Sequence, residues 1–389
     1  MDLLASSNSD YIGREQSLVK HMVLQKYLER FAFIVGSRWN SITYVDGFSG
    51  PWNVKSDECK DSSFAIALNQ LRRARDTLRA TQNRDFKIRC LFLETDKSAF
   101  EKLATFAASQ TDADVRTINA DFEHSIDAII RFINEVSNSN FPFVFIDPRG
   151  WTGFSMNLIA PLLRLQPCEV LINFMTSHII RFIEAENIGI EASFERLFGD
   201  AAFREAFAGL TGEAREDAVV LAYAERVGSV GGYSYTPVTI VPHPEKDRSH
   251  FHLVYATRTL KGVEVFKESE RNAITITEQV RADAKRRKRE QASGQHEMFT
   301  GSALPESGYT DALRIRYGSL ARAKVMALLQ PGVQVPYDNL YAAALSYPLV
   351  TQTDLRDWIS DARGQVIGLG QRERVPKPGS NHAVIIPTT

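Results

Sequence analysis

Two short acidic turns carry the chemistry open to this chain. The first is Ile42-Thr43-Tyr44-Val45-Asp46-Gly47-Phe48-Ser49-Gly50-Pro51; the second, about a hundred residues on, is Phe143-Val144-Phe145-Ile146-Asp147-Pro148-Arg149-Gly150. Each is an apolar run that delivers an aspartate to a tight turn. Gly47 and Gly50 lack side chains, so the backbone there can approach a ligand closely. Asp46 is placed to accept from the ammonium of a bound cofactor, with Phe48 beside it and Ser49 adding a hydroxyl. Asp147, Pro148 and Gly150 form the candidate reaction turn. An acidic oxygen and a backbone carbonyl accept from a target amine and aim its lone pair, which is catalysis by positioning. Trp151 and Phe154 offer faces on which a flipped base could stack.

Further acids follow the same pattern. The run Ile88–Leu93 ends in Glu94-Thr95-Asp96. Glu94 is the first choice for gripping two ribose hydroxyls, with Thr95 adjacent and Asp96 the second choice. Val115–Asn119 ends at Ala120-Asp121, where Asp121 is placed to accept from an adenine amino group and Phe122 to pack on the ring. These acids also suit plain helix starts, through the helix dipole or an N-cap. Asn173 closes a fifth apolar run and lines the same edge. His21, His178, His243, His250 and His252 show no ligand spacing, and Cys59, Cys90 and Cys168 no CxxC, so no metal site is expected.

The elements that must position these residues alternate. A helical pattern over 14–36 leads into a strand at 42–46. Strands at 88–93, 115–119, 143–146 and 170–174 are each followed by a helical pattern. Such alternation predicts a parallel sheet with right-handed crossovers and helices on both faces. Residues 187–230 read as a helical insertion or lid, and Tyr233–Val241 with Ser249–Thr257 as an antiparallel pair. The expected fold is α/β, a Rossmann-like class I methyltransferase sheet, parallel with a terminal antiparallel hairpin. Acids at four successive strand ends of such a sheet suit S-adenosylmethionine as cofactor. The absence of GxGxxG and the terminal hairpin count against a nicotinamide oxidoreductase.

With 389 residues, 44% of them hydrophobic, the chain suits two or more units. Its formal net charge of −1 leaves nucleic-acid binding to local charge. Residues 281–289 hold six Lys or Arg, among them Lys285, Arg286, Arg287, Lys288 and Arg289, a pattern that can hold phosphates. Residues 292–310 read as a Ser/Gly/Pro linker. Beyond it, helices near 320–329, 337–345 and 351–362 and two short strands predict a winged helix-turn-helix. Its wing would carry Arg372, Arg374 and Lys377. The expected division is 1–291 methyltransferase-like, 292–310 linker and 311–389 winged helix. There is no secretory start and no run of roughly 18 apolar residues, so a reducing cytoplasm is the expected location.

The helix with Lys20 and Lys26, then Tyr44–Pro51, Phe92-Leu93-Glu94, Phe145–Gly150 and Leu171-Ile172-Asn173-Phe174, together resemble the three-Cys-motif partner proteins (TcmP) over roughly residues 15–290. The last unit resembles the winged-helix appendage often joined to that family. The resemblance implies a class I methyltransferase-like fold and a separate partner with a three-cysteine motif, itself similar to radical S-adenosylmethionine enzymes. Asp-Pro-x-Gly also resembles the motif of tRNA guanine dimethyltransferases, which act on an exocyclic amine. Arg149 stands where an aromatic residue usually precedes that Gly, and Trp52 where Gly commonly follows the first-turn Pro. The expectation is a methyltransferase acting on RNA or DNA at an exocyclic base amine. The rival is a catalytically silent protein of the same fold that docks nucleic acid or the three-cysteine protein.

Overall fold

A computed structural model describes residue 11 and residues 13–50, 61–136, 139–183, 187–294, 308–369 and 376–388. Among these residues, seven strands build one sheet: β1 Ser41–Asp46, β2 Lys87–Leu93, β3 Asp114–Ile118, β4 Asn140–Ile146, β5 Glu169–Phe174, β6 Val238–Pro242 and β7 Ser249–Ala256. Their order is β3-β2-β1-β4-β5-β7-β6. β1 to β5 run parallel, and β7 lies antiparallel to both β5 and β6. This is the class I methyltransferase sheet. Its order reverses between β1 and β4, and ligands of open α/β sheets lie beyond the carboxyl ends at such a point.

Among the described residues, nine α-helices connect and cover these strands: α1 Glu15–Gly36, α2 Ser63–Gln82, α3 Lys97–Ala108, α4 Ile126–Asn134, α5 Met156–Leu163, α6 Thr176–Phe182, α7 Ile188–Phe198, α8 Gly212–Gly231 and α9 Leu260–Ser293. The strands are apolar throughout because both faces are covered. Alternate residues serve opposite layers. Val45, Leu91, Val144 and Ile172 pack with α4, α5 and α8, while Tyr44, Cys90, Phe143 and Leu171 pack with α1, α2 and α9. Glu169 is buried at the start of β5, where the Tyr27 and Thr257 hydroxyls donate to it at 2.5 and 2.9 Å. These partners replace the water a buried carboxyl gives up.

The expected lid at 187–230 is corrected in part. Its last helix, α8, is a layer of the core, with Tyr223 stacked on Phe174 at 4.3 Å between ring centroids. β6 is shorter than expected, because Tyr235 makes only an isolated bridge to Thr257.

The remaining elements are α10 Gly308–Leu328, β8 Val335–Pro336, α11 Tyr337–Leu345, α12 Gln352–Asp361, β9 Gln365–Ile367 and β10 Ala383–Ile385. Their strands form a three-stranded antiparallel sheet, β8-β10-β9. α10 starts well before the expected helix near 320, because Leu313, Tyr317, Ala321 and Val325 are buried at every fourth position. This unit packs on the first. A buried Lys267–Glu270 pair on α9 donates to the Tyr347 carbonyl at 2.7 Å and accepts from the Leu349 N–H at 3.0 Å. Arg316 of α10 reaches Asp217 of α8 at 2.6 Å.

Candidate functional site

Strand register sets where the acids lie. Asp46, the last residue of β1, pairs with Phe92 of β2 and Phe145 of β4. Glu94 and Asp147 each stand two residues beyond those partners, so three carboxyl side chains and Asn173 share one sheet edge.

Asp46 itself faces inward. It is fully buried; one oxygen accepts from the Phe48 N–H at 3.1 Å and the other from the Ser63 hydroxyl at 2.6 Å. Burial pushes its carboxyl up to about 6 against the pull of those hydrogen bonds, with the Asp147 charge adding to the rise. Its expected role as acceptor for a cofactor ammonium is therefore corrected: its oxygens hold the turn. Ser49 is also buried, and its hydroxyl donates to the Asp46 carbonyl at 2.8 Å. Gly47 has a packing reason, since a Cβ there would stand 2.5 Å from the Phe122 ring. Phe122 is 1% exposed and packs on Phe48, so its expected place on an adenine ring is corrected too. Gly50 is half-buried, and Pro51 and Trp52 lie outside the described residues.

The end of β2 is better suited to a ligand. Glu94 uses one carboxyl oxygen to accept from the Asp96 N–H at 2.7 Å and the Thr95 hydroxyl at 3.4 Å. Glu94 is 5% exposed, and its other oxygen has no partner among the described residues. Thr95 is exposed beside it. Asp96, the second choice, is exposed and caps α3 with one oxygen by accepting from the Ala99 N–H at 2.8 Å. Asn119, absent from the sequence-based candidates, donates to the Glu94 and Thr95 carbonyls at 2.8 and 3.2 Å and fixes this turn. Asp121 is half exposed and binds His124 through its backbone N–H and its ring nitrogen. The hydrogen bond to Asp121 raises the His124 imidazole above its ordinary range.

At β4 the Asp147 carboxylate is held from two sides. Lys20 of α1 forms an ion pair with one oxygen, and the Asn173 amide donates to the other at 2.6 Å. Lys20 and Asp147 are only 12% and 14% exposed. Pro148 is buried and Gly150 half-buried in the same turn. No sequence spacing links Lys20 to Asp147; only the packing of α1 does. Trp151 donates to the Ser193 hydroxyl at 2.9 Å and stacks on Phe194, while Phe154 is fully buried. Neither is presented to a flipped base, which corrects that expectation.

The basic run ends α9 and is largely answered within the chain. Lys285 shares Asp247 with Arg281, Arg286 pairs with Asp283, Arg287 with Glu15 and Lys288 with Glu245. Arg289 is exposed. These pairings reduce the charge expected to face phosphates. Arg372 and Arg374 lie outside the described residues, and Lys377 is exposed before β10. α12 carries Asp354, Asp357 and Asp361 against Arg356 alone. Among the described residues no group of three potential metal ligands occurs, and no helix is long and apolar enough to cross a membrane.

No family model and no curated protein matches the chain. Among solved structures it is similar to protein LPL1258 from Legionella pneumophila, at 10% identity over 62% of this chain and 85% of that one, with a TM-score of 0.37. It is also similar to the O-methyltransferase TomG from Streptomyces achromogenes in complex with S-adenosylmethionine (12% identity, 60% and 78% covered, TM-score 0.30). A third is the mycolic acid cyclopropane synthase CmaA1 complexed with S-adenosylhomocysteine (11%, 68% and 76%, 0.26). The strand order carries the fold assignment, and the geometry of the sheet edge carries the functional reading.

Proposed function

We propose that this chain is an S-adenosylmethionine-dependent methyltransferase acting on an exocyclic amine of a nucleic-acid base. The observation that supports it is one sheet edge, at the topological switch of a methyltransferase-type sheet, that presents Glu94, Asp147 and Asn173 together. Glu94 fits the ribose hydroxyls, Asp121 the adenine amino group, and the backbone of the 47–50 turn the amino-acid end. When bound, S-adenosylmethionine supplies a methyl group on a positively charged sulfur. Asp147 and the carbonyl of its turn accept from the acceptor amine and direct its lone pair at that methyl. When bound, the cofactor would give that methyl to the nitrogen and keep the C–S electron pair on its sulfur. Asp147 then stands where it can take the proton that nitrogen sheds.

The helix-strand-helix-helix-strand-strand order after residue 308 supports a winged helix. Within it the basic residues Arg372, Arg374 and Lys377 suit phosphate better than α12, whose three aspartates repel it. Membership of the TcmP family, and a three-cysteine partner, belong to the same proposal. A second reading, a silent scaffold of this fold, draws on the inward-facing Asp46 and the Lys20 ion pair.

Calorimetric titration with S-adenosylmethionine, followed by transfer of labelled methyl to tRNA, rRNA and DNA, tests the proposal. Asp147→Ala is expected to abolish transfer while leaving cofactor binding nearly intact. Unchanged transfer in that variant, or no cofactor binding with or without the three-cysteine protein, would sink it.

A further inference from the structure

We propose that Asp147 and Asn173 form a subsite for a group bearing several N–H donors, and that the chain's own Lys20 occupies its Asp147 half until an acceptor arrives. What happens there rests on the methyltransferase reading; what binds there rests on geometry alone.

Asn173 is 2% exposed. Its amide nitrogen donates to Asp147 at 2.6 Å and reaches the Met175 sulfur at 3.5 Å. Because an ionised carboxylate only accepts, this orientation of the amide is fixed. The Asn173 carbonyl oxygen is left buried with no hydrogen-bond partner. Buried acceptors are nearly always satisfied, and each exception calls for an explanation. Here the orphan oxygen adjoins a carboxylate whose far oxygen already holds an ammonium. Two neighbouring residues thus hold acceptors in different states: the Asp147 carboxylate, which carries the Lys20 ammonium, and the Asn173 carbonyl, which is buried and unsatisfied.

A donor with two or three N–H groups satisfies both acceptors. A hydroxyl has one hydrogen and satisfies one. A fully substituted nitrogen satisfies neither. The subsite thus selects a primary amine or ammonium, which narrows the acceptor to an unmethylated exocyclic amine. Lys20 can retreat while α1 stays in place. Its stem is flexible, whereas α1 is tied down elsewhere by Arg14 to Asp61, Glu15 to Arg287 and Arg30 to Glu268.

The test is the thermal stability of Lys20→Ala with added methylammonium chloride, against tetramethylammonium chloride at equal ionic strength. Methylammonium is expected to raise the Tm of Lys20→Ala in a saturable way. Tetramethylammonium should leave it unchanged, and the wild-type protein should respond to neither. The response should vanish in Lys20→Ala/Asn173→Ala and in Lys20→Ala/Asp147→Asn. No methylammonium response, an equal response to tetramethylammonium, or a response indifferent to Asn173 overturns the subsite.

Should Lys20→Ala not fold, acetylation of the wild-type protein gives a second measurement. Lys20 is expected to react at least tenfold more slowly than the exposed Lys377, and equal rates overturn the filling by Lys20. A methylammonium response without cofactor binding would refute the methyltransferase reading and spare the subsite; cofactor binding and transfer without the response would do the reverse.

Discussion

Gly47→Ala separates packing from ligand contact at the first turn. The added Cβ would meet Phe122 at 2.5, 2.9 and 3.0 Å, where ordinary contact begins at 3.4 Å. The ring must then retreat by roughly 1 Å, or the turn must move. The turn is held by the Gly47 N–H donating to the Phe145 carbonyl at 3.0 Å, and by Ser49 donating to Leu93 at 2.8 Å. Phe122 is buried under Phe48 within the core. Overpacking of this kind costs about 1–3 kcal/mol, and the rigidity on both sides places this site near the upper end. Urea unfolding followed by circular dichroism is the assay. Phe122→Leu shortens the obstructing ring, so the double variant is expected to lose less than the sum of the singles, by about 1 kcal/mol or more. A single-variant loss under ~0.5 kcal/mol, or strict additivity, would refute the packing argument. If the double variant regains stability but not affinity for S-adenosylmethionine, Gly47 also serves the ligand.

Other outcomes follow from buried groups. The Asp46 carboxyl, raised from 3.8 to about 6 by burial, binds its proton more tightly folded than unfolded. Its contribution is therefore full below pH ~4 and lost as pH rises through ~6, a fall of roughly 3 kcal/mol at ~1.4 kcal/mol per pH unit; Asp46→Asn should flatten that part of the stability–pH curve, and an unchanged slope counts against it. Lys267→Met strands Glu270 in the buried joint to the C-terminal unit and is expected to cost about 3–5 kcal/mol, with faster proteolysis after residue 308; Lys267→Met/Glu270→Leu should recover part of the loss. Burial pushes the Cys168 thiol up to about 12 and Cys90 higher still, so neither should react with Ellman's reagent before unfolding. More than one fast thiol in the native protein would contradict this.

Much of the fold was legible because its signals are local. Each parallel strand is an apolar run ended by a turn, and each helix shows its period, so a parallel sheet closed by an antiparallel pair followed, while the order of its strands came from the structure. α10 was read short because the glycine, serine and proline just before it masked the buried series Leu313, Tyr317, Ala321 and Val325. The sheet-edge acids were found by type, but their orientation was not legible. Whether Asp46 faces a ligand or its own turn depends on Ser63, seventeen residues away on α2. The Lys20–Asp147 pair spans 127 residues and two elements. The basic run was visible as charge, while its neutralisation by Glu15, Glu245 and Asp247 depends on how α9 lies against α1 and the β6–β7 turn.

The two aspartates at this edge solve one electrostatic problem in different ways. Asp46 is sealed from water; burial and the nearby Asp147 charge raise its carboxyl to about 6, and hydrogen bonds from Ser63 and the Phe48 N–H offset part of that cost. Asp147 instead pairs with the Lys20 ammonium through one oxygen and accepts from the Asn173 amide through the other. An acceptor amine that displaces Lys20 brings N–H donors but no full positive charge. On the proposed reading, the displacement that admits the acceptor also frees the Asp147 oxygen that Lys20 holds. Entry of the acceptor and release of its hydrogen-bond partner would then be linked through one lysine on α1. The buried cation on that helix would be a placeholder for the acceptor, which is why Lys20→Ala is the variant on which the proposal turns.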